Sequence, residues 1–186
     1  NSPIIIQFSN GGASFFAGKG IAAEGQGAAV IGAVAGAKYV HAVAEHYGIP
    51  VILHTDHAAK NLLPWIYGLL DAGETFFAET GKPLFSLHML DLSEEPLEEN
   101  IGTCAKYLER MDKMGMTIEI ELGCTGGEED GVSGTGEVAS PDECKQIANL
   151  GVTMLAAGIG NIHGRYPDNW AGLDFDVLKD IQAITS

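Results

Sequence analysis

Five short apolar runs, each followed by a segment of helical spacing, govern what this chain can fold into. Ser2–Ser9 is a β-branched run, and Ala22–Tyr47 is an Ala-rich helical segment closed by Gly48. Pro50–His54 is the second strand, followed by a helix over Ala59–Ala72 with Trp65, Leu69 and Leu70 on its apolar face. Leu84–Met89 is the third strand, and Leu97–Met114 the next helix, with Ser93 or a neighbour as its cap. Met116–Leu122 is the fourth strand and leads into an acidic, glycine-rich loop over Gly123–Gly136. Ser140-Pro141-Asp142-Glu143 combines a capping box with proline at the first helical position, and this helix ends near Gly151. Thr153–Ile159 is the fifth strand; a loop containing Pro167 and Gly172 separates it from a last helix over Asp174–Ile184.

Strands that are apolar nearly throughout are buried on both faces, and parallel strands need crossovers of about this length. The order therefore predicts an α/β fold with a parallel sheet, either doubly wound and open or part of a (β/α)8 barrel. Five strand–helix units do not close an eight-stranded barrel. No internal repeat or linker divides the chain, so residues 1–186 read as a single, partial domain.

With 186 residues and 46% hydrophobic content the chain can bury a sizeable core. Lys and Arg number 10 against 25 Asp and Glu, a net charge of −15, which excludes a general nucleic-acid binder because such proteins displace counterions with basic patches. A small phosphorylated substrate is still compatible, provided that a metal or backbone N–H groups supply positive field locally. Cys104, Cys124 and Cys144 form no C-x-x-C pair and leave one thiol over, which points to a reducing cytoplasm and not to a disulfide scaffold. The apolar stretch Ala28–Ala37 is too short to span a bilayer, so the chain reads as soluble, with no membrane partner.

Both candidate architectures gather their chemistry at the C-terminal ends of the strands. Ser9-Asn10-Gly11-Gly12 ends the first strand, His54-Thr55-Asp56-His57 the second, and His88 to Asp91 the third. Glu121, then Glu128-Glu129-Asp130, follow the fourth, and Asn161-Ile162-His163-Gly164 the fifth. One histidine at a strand end is ordinarily a hydrogen-bonded core residue; polar groups on all five ends argue for a site. His57, His163, Asp91 and Glu121 are ligand types that zinc accepts. Asp56, beside His57, is placed to exchange a proton with a metal-bound substrate, its bland reading being a helix cap. In the acidic loop, Glu129 reads as a mobile general base, the bland reading being a solvated pair with Glu128. The loop lacks the alternating oxygen ligands of an EF-hand, and Gly158–His163 lacks the third glycine of a dinucleotide fingerprint. Ser9 and the glycines after Asn10 offer hydroxyl and N–H groups to an anion. His41, His46, Tyr47 and His54 read as packing or surface residues.

These motifs, Ile6–Ala13, His54–His57, Pro83–Asp91, Glu119–Gly131 and Gly160–Gly164, resemble those of the class II, zinc-dependent fructose-1,6-bisphosphate aldolases. The resemblance implies a (β/α)8 barrel, of which about five units are present. It implies reversible aldol cleavage of fructose 1,6-bisphosphate to dihydroxyacetone phosphate and glyceraldehyde 3-phosphate. His57 and His163 become ligands of the catalytic Zn2+, and Asp91 and Glu121 ligands of a second or alternative position; a monovalent cation is a further expected cofactor. Asp56 becomes the proton donor at the C4 oxygen and Glu129 the residue exchanging the proton of dihydroxyacetone phosphate. Ser9 meets the aldehyde-side phosphate and Gly164 the other phosphate. The implied assembly is a homodimer, for which the Gly/Ala-rich helix Ala22–Tyr47 offers a close-packing surface.

The family pattern also has a strand before residue 1 and two after residue 186, the latter bringing a third zinc histidine. Residues 1 to about 131 resemble the longer-chain subgroup of the family, and Ser133–Ser186 the shorter-chain subgroup. Two competing readings are a tagatose-1,6-bisphosphate aldolase and a barrel fragment that binds metal without turnover.

Overall fold

The computed structural model describes residues 2–129, 132–134 and 136–185. The chain forms two compact units, Asn1–Leu90 with Lys106–Ile118, and Asp91–Ala105 with Glu119–Ser186. Two elements, the helix Leu97–Asp112 and the strand Thr117–Leu122, each begin in one unit and end in the other.

In the first unit, β1 (Ile4–Phe8) pairs in parallel with β2 (Val51–Ala58), and β2 with β3 (Leu87–Leu90). β4 (Thr117–Leu122) begins with the Thr117 N–H donating to the Ser86 carbonyl at 3.1 Å. The sheet order is β1-β2-β3-β4 and then Met154–Ala157, so every strand lies beside its successor among the five parallel strands. A doubly wound sheet reverses its strand order at a switch point, whereas a (β/α)8 barrel does not. The sequential order therefore selects the barrel arrangement, five strands of it.

α1 (Asn10–Ala17) is not among the helices expected from sequence, since Gly11 and Gly12 in its first turn are poor helix formers. Ser9 starts that helix: its extended backbone and its Oγ, which accepts the Gly12 N–H at 3.1 Å, make a side-chain cap. α2 (Gly27–Tyr47) ends at Gly48 in the left-handed conformation, as the sequence indicated, but starts five residues later than Ala22. Its small residues let neighbours approach closely. A Cβ on Gly32 would overlap the Ala13 carbonyl oxygen, and one on Gly36 would stand 2.5 Å from the Phe8 ring. The Gly/Ala face expected to meet a partner chain is thus covered from within the same unit. By length and composition α2 is apolar enough to cross a membrane, unlike the shorter run weighed from sequence, yet Ala29, Ala33 and Ala37 are buried in this packing. After a short 3-10 turn, α3 (Leu63–Thr80) buries Trp65, Ile66, Leu69 and Leu70, each worth about 1.5–3 kcal/mol when fully removed from water.

In the second unit, β4 continues into a parallel pairing with β7 (Met154–Ala157). The expected loop over Gly123–Gly136 instead holds a hairpin, β5 (Gly126–Glu129) and β6 (Val132–Gly134), with β8 (Ile162–His163) parallel to β5 on its other side. The register sets Glu129 opposite Val132. Gly127 permits the third strand: a Cβ there would overlap the His163 carbonyl.

α4 (Leu97–Asp112) follows Pro96, whose carbonyl accepts the Glu99 and Asn100 N–H groups, so Ser93 is not its cap. α5 (Pro141–Ala148) has proline in its first turn as expected, but Ser140 makes no side-chain capping bond, so the serine half of the expected box is not seen among the described residues. α6 (Phe175–Thr185) is capped by Asp174, whose carboxylate accepts the Asp176 and Val177 N–H groups at 3.1 and 3.0 Å. α5 and α6 pack together, burying Ile147 and Ile181.

Candidate active site

Each expected site residue with a described position stands at or just past the C-terminal end of a parallel strand. Ser9 follows β1; Asp56 and His57 close β2; Asp91 follows β3; Glu121 lies at the end of β4; His163 and Gly164 lie in the segment after β7. Residues here project from the end of the sheet where barrel enzymes hold substrate.

In the first unit the end of β2 is irregular. Thr55 pairs with His88 and Ala58 with Leu90, so two residues of β2 occupy the space opposite Met89. This is a β-bulge, a device that re-aims side chains near active sites. His57 has φ +20°, the one positive value for a residue other than glycine among the described residues. Such backbone costs about 1–3 kcal/mol and persists where its surroundings hold it. The bulge leaves the His57 Nε2 3.8 Å from the Asp56 Oδ1, both side chains partly open to solvent.

Beneath this pair lies a buried histidine layer. The His88 Nδ1 is 2.7 Å from the Thr55 hydroxyl, its Nε2 has no hydrogen-bond partner among the described residues, and the Phe85 ring packs 5.1 Å away. Burial, reinforced by neighbouring His54, pushes its pKa down to about 3, so His88 is neutral and serves the core. The His54 Nδ1 meets the Gln7 amide oxygen at 3.3 Å. The His41 Nε2 is 3.0 Å from the Leu84 carbonyl oxygen, a packing role as the sequence indicated.

In the second unit Asp91 and Glu121 present carboxylate oxygens within 4.8 Å of one another. Ser93 donates to the Asp91 Oδ1 from its hydroxyl at 2.7 Å and from its N–H at 3.3 Å. Glu121 is 3% exposed. Its Oε1 accepts the Thr125 hydroxyl at 3.2 Å and the Thr125 N–H at 3.4 Å. Carboxylate oxygens at this spacing are the donor type that a divalent ion takes, so the pair fits such an ion by its chemistry.

Asn100, 1% exposed, was not singled out in the sequence; its amide N–H groups donate to the Leu92 and Glu121 carbonyls, both at 3.2 Å. It thereby ties the Asp91 segment to the end of β4. Cys104 donates to the Asn100 Oδ1 at 3.2 Å, and burial pushes its thiol pKa up to about 12, consistent with a packing role. The cysteines are free.

His163 lies on β8, and Gly164 follows it with φ +77°, a conformation glycine adopts without strain. The loop around them is strapped by Trp170, whose indole N–H donates to the Gly160 carbonyl at 2.8 Å and whose ring stands edge-on to Tyr166 at 4.3 Å. No sequence pattern pointed to that strap. The backbone of Glu129 belongs to β5, whereas the side chains of Glu128 and Glu129, and all of Asp130, lie outside the described residues.

Comparison with known proteins gives a consistent result. The family model described as fructose-bisphosphate aldolase class-II matches residues 1–185. The fructose-bisphosphate aldolase class 2 of Escherichia coli (strain K12) is 57% identical over 100% of this chain and 55% of its own length. The fructose-bisphosphate aldolase of Haemophilus influenzae is 55% identical, again over 100% of this chain and 55% of the relative. The chain spans about half the length of the relatives it matches. Among solved structures, the fructose-bisphosphate aldolase of Campylobacter jejuni superposes with a TM-score of 0.83 at 47% identity, covering 100% of this chain and 53% of that one.

Proposed function

Because the chain belongs to the class II fructose-bisphosphate aldolase family, we propose that it serves the reversible cleavage of fructose 1,6-bisphosphate into dihydroxyacetone phosphate and glyceraldehyde 3-phosphate. One observation supports this reading: the residues of five separate motifs stand at the C-terminal ends of consecutive parallel strands.

The family implies a metal cofactor. In this proposal the metal is Zn2+, His57 and His163 would hold it, and Asp91 and Glu121 would serve a second or alternative position. A bound divalent ion supplies Lewis-acid polarisation of the ketone and stabilises the charge released when the carbon–carbon bond breaks. Asp56 donates the proton to the C4 oxygen in the condensation direction and removes it in cleavage, a role supported by its carboxylate lying 3.8 Å from the His57 Nε2. Glu129 exchanges the proton at the carbon of dihydroxyacetone phosphate. Ser9 meets the aldehyde-side phosphate at the N-terminus of α1, where helix N–H groups favour an anion, and the Gly164 N–H meets the other phosphate.

The proposal includes a monovalent cation, a homodimer and a cytoplasmic location, the last in keeping with the free cysteines. Neither nucleic acid nor membrane is a proposed partner. A coupled assay on the full-length, zinc-loaded protein tests the activity. Cleavage of fructose 1,6-bisphosphate in preference to tagatose 1,6-bisphosphate is expected; metal binding without turnover of either sugar overturns it.

A further inference from the structure

We propose that Thr125 is a positioning residue for the Glu121 carboxylate and that, through Asn161, it couples this carboxylate to the loop carrying His163. The inference rests on the ligand role proposed above for Glu121.

The hydrogen bonds admit only one direction. The Ile159 backbone N–H can only donate, and it meets the Asn161 Oδ1 at 2.9 Å, which fixes that end of the amide as the oxygen. The other end is therefore the amide nitrogen, and it donates to the Thr125 Oγ1 at 2.9 Å. Accepting that hydrogen bond, the Thr125 hydroxyl turns its own proton toward Glu121 Oε1 at 3.2 Å, where the Thr125 N–H also arrives at 3.4 Å. Glu121 Oε1 thus accepts twice from one residue. A carboxylate held this way keeps its rotamer, which a metal ligand needs.

The relay also fixes the loop. The Asn161 carbonyl accepts the Gly126 N–H at 3.1 Å, one residue past Thr125, so Asn161 is tied to the β4–β5 connection by side chain and backbone together. Asn161 stands two residues before His163, and β5 pairs with β8 from Gly126 onward. A shift of the Glu121 carboxylate on taking up an ion is therefore transmitted to the segment that presents His163 and Gly164.

Titration of the metal-free, full-length protein with Co2+ alone, followed by visible absorption, tests this. Thr125→Val keeps the shape and removes the hydroxyl; it is expected to weaken Co2+ binding about 10–100-fold, the range for groups that orient metal ligands. Thr125→Ser is expected to restore affinity to near the parent value, and Asn161→Ala combined with Thr125→Val to bind no worse than the weaker single variant. Parent-like affinity in Thr125→Val, failure of serine to rescue, or losses that multiply in the double variant would each overturn the relay. Glu121→Gln separates the two readings. If it weakens binding while Thr125→Val does not, the relay fails and the ligand role stands; if it binds as the parent does, the ligand role fails and the relay with it. Should Thr125→Val not fold, Asn161→Ala alone carries the test by the same criterion.

Discussion

Asp56 and His57 together face a single residue, Met89, on the neighbouring strand. An extra residue at this point changes which side chains beyond it face the core, so the acid–histidine pair depends on the bulge. His57 carries the cost in its backbone at φ +20°. The metal-free His57→Gly variant should be more stable than His57→Ala by roughly 1 kcal/mol, since glycine enters this region freely. Both should lose zinc equally. Urea unfolding and metal analysis on the same preparations check this; equal stability of the two variants would remove the strain argument.

Asp56→Asn retains shape and size but cannot take up the proton. The expected result is a fall in kcat of about 10²–10⁴-fold with zinc content unchanged. A loss of zinc alongside activity would instead make Asp56 part of the metal site.

His88 links stability to acidity. Its folded pKa, about 3, lies below the ordinary 6.5 because burial disfavours the imidazolium. The unfolded chain therefore takes up the proton first, so this contribution is complete above about pH 6.5 and declines as pH falls toward 3. The limiting slope is about 1.4 kcal/mol per pH unit for one proton. Urea midpoints between pH 8 and 5 should show that decline in the parent and a shallower one in His88→Leu. Identical slopes would mean that other groups carry it.

Two glycines in helices should respond oppositely to alanine. At Gly32 the added carbon meets the Ala13 backbone, and overpacking of this kind costs about 1–3 kcal/mol or more. At Gly102, inside α4, nothing lies within 4 Å, so alanine should stabilise by about 0.4–1 kcal/mol through the unfolded chain. Thermal unfolding of the two variants measures both signs, and destabilisation by Gly102→Ala would show that its surface is covered.

The strands and the polar residues at their ends were legible because burial on both faces leaves a run of apolar residues that stops where the chain meets solvent. What escaped is structure held by tertiary contact. α1 has two glycines near its start and forms because Ser9 caps it and Gly32 lets it dock. β5 is rich in Gly and Glu, neither a strand former, and its place is set by pairing to β8 across Gly127. The bulge at His57 has no local signature, since it exists only in the register with β3. Similarly, Thr125 and Asn161 lie 36 residues apart and acquire meaning only when β8 returns to β5.

The sequential strand order has a consequence for how the chain is made. β1 finds its partner in β2 and β2 in β3, each pairing requiring only the residues just completed, the first across a crossover holding α1 and α2 and the second across one holding α3. A chain emerging from the ribosome can therefore add these five parallel strands in the order of synthesis, each new one docking on the edge left by its predecessor.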